Sequence, residues 1–197
     1  PVPLPSYALR ETLLLAAGRY ALLSLHLQRL AQSAEVCGFP PVSAQAHRAA
    51  LQDFAAAHAQ GAWRVQLTQD ANGMLQVQGT LLDAALPAAL ADWPAGDMAP
   101  RAWLAAPAWP QAGAHALRVA LAAQPNTPAD GPWLLHKTTH RALYDQAWAQ
   151  APEGSWDVLL HTADGFATEC TRGNIVLQTA QGCFTPPVAQ GLLPGTL

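Results

Sequence analysis

The stretch LLHKTTHRALYDQAWAQAPEGSWDVLLHTADGFATECTRGNIVL, residues 134–177, decides the fold, because it places two isolated charges at the ends of apolar runs. Lys137 follows Trp133, Leu134 and Leu135 and precedes two threonines; Glu169 closes a short apolar run just before Thr171, Arg172 and Asn174. Only 12% of the residues are charged, so a charge at the end of a buried element points to chemistry rather than to solvation. Lys137 is also the only lysine of the chain. Each residue has a plain structural reading as well: Lys137 as a solvated rim residue, Glu169 as a strand-end carboxylate paired with Arg172.

Around these two charges the pattern reads as a short strand carrying Lys137, a helix from about Thr139 to Ala151 and a strand over Trp156 to His161. A turn at Asp164-Gly165, strands on either side of Thr171 to Gly173, a Gln181-Gly182 turn and a strand before Pro186-Pro187 follow. Upstream, Gln124-Pro125-Asn126-Thr127-Pro128 through Gly131-Pro132 breaks the pattern, which predicts a boundary between a domain over 1–123 and a second over 124–197. The first domain reads as strands over Tyr7 to Leu15 and Tyr20 to Leu23 around a turn at Ala16 to Arg19. Ser24 is placed to cap a helix with Leu27, Leu30 and Ala34 on one face and Gly38 as its end. Ser43 is placed to cap a second helix through about His58, with Gly61 as its stop. Trp63, Val65 and Leu67 then alternate with Arg64 and Gln66, and Asn72-Gly73 turns the chain into a strand over Met74 to Thr80. The result is an α+β chain with an antiparallel sheet and helices on one side. Residues 81–112 are rich in Ala, Pro and Trp, with Trp93, Trp103 and Trp109 as anchors to a core, and His115 to Leu121 reads as a further strand.

With 51% apolar residues in 197, the chain can bury one core or two modest ones. A net charge of −3 and scattered basic residues argue against a nucleic-acid surface. No apolar run reaches bilayer length and the N-terminus lacks a signal pattern, so a cytoplasmic protein without a membrane partner is expected. Cys37, Cys170 and Cys183 match neither a disulfide framework nor zinc spacing and read as buried thiols; the seven histidines show no metal-binding arrangement, so no metal is expected. The missing initiator Met and the terminal Gly195-Thr196-Leu197 suggest a chain cut from something longer, incomplete at its C-terminus.

Five segments in order carry a resemblance: ETLLLAAG (11–18), HLQRLAQSA (26–34), KTTHRALYD (137–145), ECTRGNI (169–175) and TPPVAQGLLPGTL (185–197). Together the chain resembles the class IV pyridoxal-phosphate enzymes, which include branched-chain and D-amino-acid aminotransferases and aminodeoxychorismate lyase. The resemblance implies a two-domain fold like that of D-amino-acid aminotransferase, with a small N-terminal domain and the start of a larger cofactor-binding one. Pyridoxal 5'-phosphate needs an amine for its aldehyde, a carboxylate at its ring nitrogen and a phosphate cradle. By the resemblance these are Lys137, Glu169 and Arg29, the last through a planar donor fork suited to phosphate oxygens. Thr196 and Leu197 match the helix N-terminus that completes the cradle, and Asn174 reads as a hydrogen-bonding support for the loop after Glu169.

The wording of residues 137–145 and 171–175 is closest to aminodeoxychorismate lyase, particularly the form fused behind a chorismate-aminating component. That implies release of pyruvate and 4-aminobenzoate for folate synthesis, with Lys137 removing the ring proton. A class IV aminotransferase is the alternative, and a catalytically inactive fragment is a third reading. One departure counts against the pattern: Leu14 stands where family members often carry a basic residue, two places after Glu11-Thr12. Arg141 reads either as a contact for a substrate carboxylate or as a partner of Asp145 at i+4, and Tyr144 as a helix-packing residue. The family also implies a homodimer acting on a small-molecule substrate.

Overall fold

The computed structural model describes residues 6–82, 117–127 and 131–196. They fall into two compact units. The first holds the described residues up to 82 together with Lys137–Thr139 and Thr196; the second holds 117–136, within the described residues, and 140–195. The sequence places a single boundary at 123/124, whereas the three residues around Lys137 pack with the first unit although their neighbours on both sides belong to the second. Trp93, Trp103, Trp109 and His115 lie outside the described residues.

The first unit is built on β1 (Leu9–Ala16), β2 (Arg19–Tyr20), β3 (Ala62–Gln69) and β4 (Leu75–Leu81), ordered β2-β1-β3-β4 and antiparallel throughout. Strict alternation in β1 buries Leu9, Glu11, Leu13 and Leu15 on one face, as a period of two requires. Helices α1 (Leu23–Cys37) and α2 (Ala44–Ala57) supply Leu27, Leu30 and Leu51 to the same core as Leu13, Leu15 and Val65. Each such side chain contributes roughly 1.5–3 kcal/mol on burial. The β1–β2 loop is Ala17-Gly18, with φ of 48° and 72°, the two left-handed residues of a turn that matches strand twist.

Two local expectations are corrected at the start of α1. The second strand ends at Tyr20, and the cap is Leu22 in left-handed conformation (φ 52°, ψ 33°) with no side-chain cap bond. Ser24 lies inside the helix, where its Oγ accepts from Arg48 Nη2 at 2.8 Å. The physical reason is burial: Leu22 is 6% exposed, and its roughly 1.5–3 kcal/mol of apolar transfer outweighs a left-handed cost of about 1–2 kcal/mol. The rest of the pattern is as expected. Gly38 (φ 70°) ends α1 while Phe39 N–H reaches back to Ala34 O at 2.8 Å, and Ser43 Oγ caps α2 by accepting from Ala46 N–H at 3.1 Å.

In the second unit β5 (Val119–Leu121) pairs in parallel with β6 (Asp157–His161), and β7 (Ala167–Cys170) pairs antiparallel with β6. Here α3 (Gly131–Leu135) and α4 (Ala142–Ala149) bring Leu134, Tyr144 and Ala147 onto Val158 and Leu160. A separate hairpin joins β8 (Leu177–Thr179) to β9 (Gly182–Phe184). The helix expected from Thr139 begins at Ala142, because Thr138 and Thr139 are taken up by pairing with β1. No helix among the described residues is long and apolar enough to cross a membrane.

Candidate active site

Lys137 is not on a strand of its own, as the sequence reading has it. Trp133, Leu134 and Leu135 belong to α3, whose first turn contains Pro132, where a missing N–H costs no hydrogen bond. After α3 the segment Lys137–Thr139 is stapled to the edge of β1 in antiparallel fashion. Arg10 N–H donates to Lys137 O at 2.8 Å, Leu9 bridges Thr138, and Thr139 N–H donates to Ala8 O at 2.8 Å. Ala8 N–H closes the staple by donating to Thr139 Oγ1 at 2.9 Å. The two threonines therefore fix the backbone that carries the half-buried Lys137 rather than start a helix.

One residue further along β1 comes Glu11, a buried carboxylate. Its side chain points among the leucines at 1% exposure. Arg29 Nε donates to Glu11 Oε1 at 2.8 Å and Arg29 Nη2 to Oε2 at 2.5 Å, while His26 Nδ1 lies 2.7 Å from Oε2. His26 and Arg29 are three apart on α1, so both reach the sheet from one helix face. Burial pushes the Glu11 carboxyl up, but the hydrogen bonds and charges of Arg29 and His26 outweigh it and hold it below the ordinary carboxylate range. Arg29 thus lies on α1 as expected, with two of its five donors engaged by a carboxylate that the sequence reading left without a role.

In the second unit Glu169, at 3% exposure, is held at one oxygen from two sides. Tyr144 OH donates to Oε1 at 2.9 Å and Leu193 N–H donates to the same atom at 3.1 Å. Asn174 Nδ2 donates to Leu193 O at 3.0 Å, so Glu169 and Asn174 grip opposite ends of one residue's peptide groups. The pairing of Glu169 with Arg172 does not occur. Arg172 turns to Asp157 (Nε–Oδ2 3.5 Å) and lies between the rings of Trp148 and Trp156, 4.8 Å from each centroid. Asp157 Oδ1 also accepts from Thr171 N–H at 3.1 Å and Thr171 Oγ1–H at 2.5 Å. Arg141 approaches Asp145 at 3.8 Å as the i+4 reading has it, and its shorter contact is Nη2 to Thr171 O at 2.6 Å. The thiol of Cys170 is pushed up to about 11 by burial and by the charges of Asp157 and Glu169, which makes it a packing group rather than a nucleophile.

Arg29, Lys137 and Thr196 belong to the first unit, and Glu169 and Asn174 to the second. Within the first, neighbouring residues of β1 anchor Arg29 by a side chain and Lys137 by its backbone; within the second, Glu169 and Asn174 meet on Leu193. Gly195 and Thr196 are irregular in backbone, and Leu197 lies outside the described residues. Glu11, Tyr144 and Asp157 are the residues that the sequence reading undervalued. The signal for Glu11 was present: a carboxylate on the buried side of an alternating strand, with a His and an Arg three apart on the next helix. In chemical terms the first unit offers a primary amine and a guanidinium held by a carboxylate, and the second an oriented buried carboxylate.

The model of a protein family described as "Amino-transferase class IV" matches residues 8–197. A Schizosaccharomyces pombe protein named "Putative aminodeoxychorismate lyase" is 36% identical over 78 residues, 38% of this chain and 33% of that protein. The chain thus spans about a third of the length of this curated relative. Among solved structures, a Mesorhizobium loti "Putative amino-acid aminotransferase" is 25% identical with a TM-score of 0.74, covering 97% of this chain and 80% of that one. A Legionella pneumophila "Putative 4-amino-4-deoxychorismate lyase" shares the fold at 19% identity, with a TM-score of 0.68 over 95% of this chain and 65% of that one.

Proposed function

Because the chain belongs to the class IV amino-transferase family, a family of pyridoxal-phosphate-dependent enzymes, we propose that it binds pyridoxal 5'-phosphate and cleaves 4-amino-4-deoxychorismate to 4-aminobenzoate and pyruvate. The observation that carries the cofactor reading is Glu169, a buried carboxylate held at Oε1 by Tyr144 OH and Leu193 N–H in a chain with a single lysine. The lyase is supported by the 36% identity to the fission-yeast protein and by the K-T-T-H-R-A-L-Y-D segment.

When bound, the cofactor supplies an electrophilic aldehyde and an electron-accepting ring. In this reading Lys137 Nζ would hold the cofactor through its aldehyde and, once the substrate's amine has displaced it there, would take the proton from the amine-bearing ring carbon of the substrate. Glu169 holds a proton at the heterocyclic nitrogen, since a carboxylate hydrogen-bonded there favours the charged ring. Arg29 would bind the phosphate, a role the family resemblance extends to Thr196 and Leu197, and Asn174 keeps Leu193 in register with Glu169. The reaction balances without an outside acceptor: one C–H and one C–O bond break, and the proton ends on the departing three-carbon acid. We place this activity in a cytoplasmic homodimer working beside, or fused to, the component that aminates chorismate.

The second reading, an amino-acid aminotransferase, is favoured by the Mesorhizobium loti likeness. The purified chain with cofactor and 4-amino-4-deoxychorismate, and no 2-oxo acid, is expected to release equimolar pyruvate and 4-aminobenzoate, and Lys137→Ala to release neither. Amino acid formed only when a 2-oxo acid is added would overturn the lyase in favour of the aminotransferase. Absence of any saturable absorbance change with pyridoxal 5'-phosphate would overturn both.

A further inference from the structure

We propose that Glu11 is a positioning residue for Arg29, so that Arg29 recognises the cofactor phosphate by hydrogen-bond direction rather than by net charge. The inference rests on the reading of Arg29 given above and adds to it a partner from β1. Glu11 receives Arg29 through both Nε and Nη2 (2.8 and 2.5 Å), the bidentate geometry that fixes a guanidinium plane. His26 at 2.7 Å from Oε2 holds the carboxylate from the same helix, and Glu11 itself is 1% exposed in a wall of leucines. An Arg on one edge of such a carboxylate has little rotamer freedom left, so the plane of its guanidinium is set before any ligand arrives.

Such a pair is also close to neutral. A guanidinium whose charge is already matched by a buried carboxylate offers an anion oriented donors more than Coulomb attraction, and the two contributions predict opposite responses to removing the negative charge. Glu11→Gln keeps the side chain's shape and one acceptor oxygen but abolishes the bidentate grip and the charge. If charge were the contribution of Arg29, phosphate binding would tighten; if direction is the contribution, it weakens. A carboxylate in the core is otherwise hard to account for, since an apolar side chain at that position would pack with Leu9, Leu13 and Leu67 at no desolvation cost.

The test compares equilibrium affinities of the unloaded chain for pyridoxal 5'-phosphate and for pyridoxal, followed by tryptophan fluorescence, with no turnover measured. Wild type is expected to favour the phosphate ester, and Glu11→Gln to reduce that preference about tenfold, the scale of one charged hydrogen bond, with pyridoxal affinity unchanged. Glu11→Asp, which keeps the charge but withdraws both oxygens by one methylene, is expected to fall with Glu11→Gln; a charge role would leave it with wild type and overturn the proposal. An unchanged or larger preference in Glu11→Gln, or an equal loss for both ligands, also overturns it. Arg29→Ala is the separate control. If it leaves the preference intact, Arg29 does not hold the phosphate and the reading beneath fails; if it abolishes the preference while Glu11→Gln does not, only the present inference fails.

Discussion

Asp157→Ala is expected to destabilise the second unit by about 2–3 kcal/mol, although the ion pair visible at its surface accounts for little of that. Asp157 and Thr171 are 2% and 3% exposed, so water does not replace what the carboxylate gives. Removing it strands the Thr171 hydroxyl now bonded to Oδ1 at 2.5 Å, at roughly 1–3 kcal/mol for an unsatisfied buried group, while Thr171 N–H, 3.1 Å from Oδ1, keeps Val158 O at 3.0 Å. The Arg172 contact, at 3.5 Å from a half-exposed side chain, adds less than about 1 kcal/mol. Arg172→Ala should accordingly cost about 1–2 kcal/mol, mostly from its two stacked rings. Asp157→Asn, which retains an acceptor, should lie near that value. Urea denaturation followed by tryptophan fluorescence gives the order, since Trp148 and Trp156 flank this loop. If Asp157→Ala costs no more than Arg172→Ala, the loop after Glu169 is held by its surface pair and the argument from buried donors is wrong.

Four further outcomes are expected. Ala17→Asn should stabilise by about 0.5–1 kcal/mol, because Asn tolerates the left-handed φ of 48° better than Ala; a lower Tm would refute it. Gly79→Ala should cost about 1–3 kcal/mol by urea denaturation, since a Cβ there would lie 2.3 Å from Phe54 Cζ in a ring already stacked on His58 and edge-on to Trp63. Acid should act through Glu11: its folded pKa is depressed, so its contribution is complete above the ordinary value of 4.5 and is lost as pH falls through the lower folded value. The stability difference between wild type and Glu11→Gln should therefore shrink as pH falls below that range. Thiol labelling of the native chain at pH 8 should modify the exposed Cys183 and spare the buried Cys170, whose thiol is pushed up to about 11; modification of Cys170 before unfolding would refute it.

The first unit was largely legible because its signals are local and repeat. Period-two burial in β1 and β3, Gly38 after an apolar helix face, and Ser43 at a helix start each need only a few neighbouring residues to be read. What failed there was the start of α1, where a buried Leu22 won over a serine two residues later. Capping preference is worth about 1 kcal/mol, less than burying a leucine side chain. Burial depends on residues far away in sequence, and no window around Ser24 contains them. The placement of Lys137 was missed for the same reason. An apolar triplet is read as a strand or as a helix with equal ease, and the staple to Ala8, Leu9 and Arg10 crosses some 130 residues of sequence.

At the candidate site, the sequence singles out the groups proposed for the chemistry but not the groups that hold them in place, and this follows from how each kind of residue reveals itself. A lone lysine, or a glutamate ending an apolar run, is improbable by composition, so scarcity alone marks it. Tyr144, Asp157 and Glu11 are ordinary in type and are distinguished only by partners: a phenol on Glu169, a carboxylate on Thr171, a carboxylate on Arg29. Each of those pairs joins different secondary elements within one unit. The functional groups and their supports therefore differ in where their information resides. Substitutions at Glu11 or Asp157 that look conservative by residue type should perturb the placement of Arg29 or of the loop after Glu169 more than substitutions at exposed charges such as Asp145, whose side chain is 74% exposed and lies 3.8 Å from Arg141. The direction of a guanidinium or the setting of a carboxylate is fixed by buried partners that water cannot replace, whereas a rim charge exchanges its partner for solvent at almost no cost.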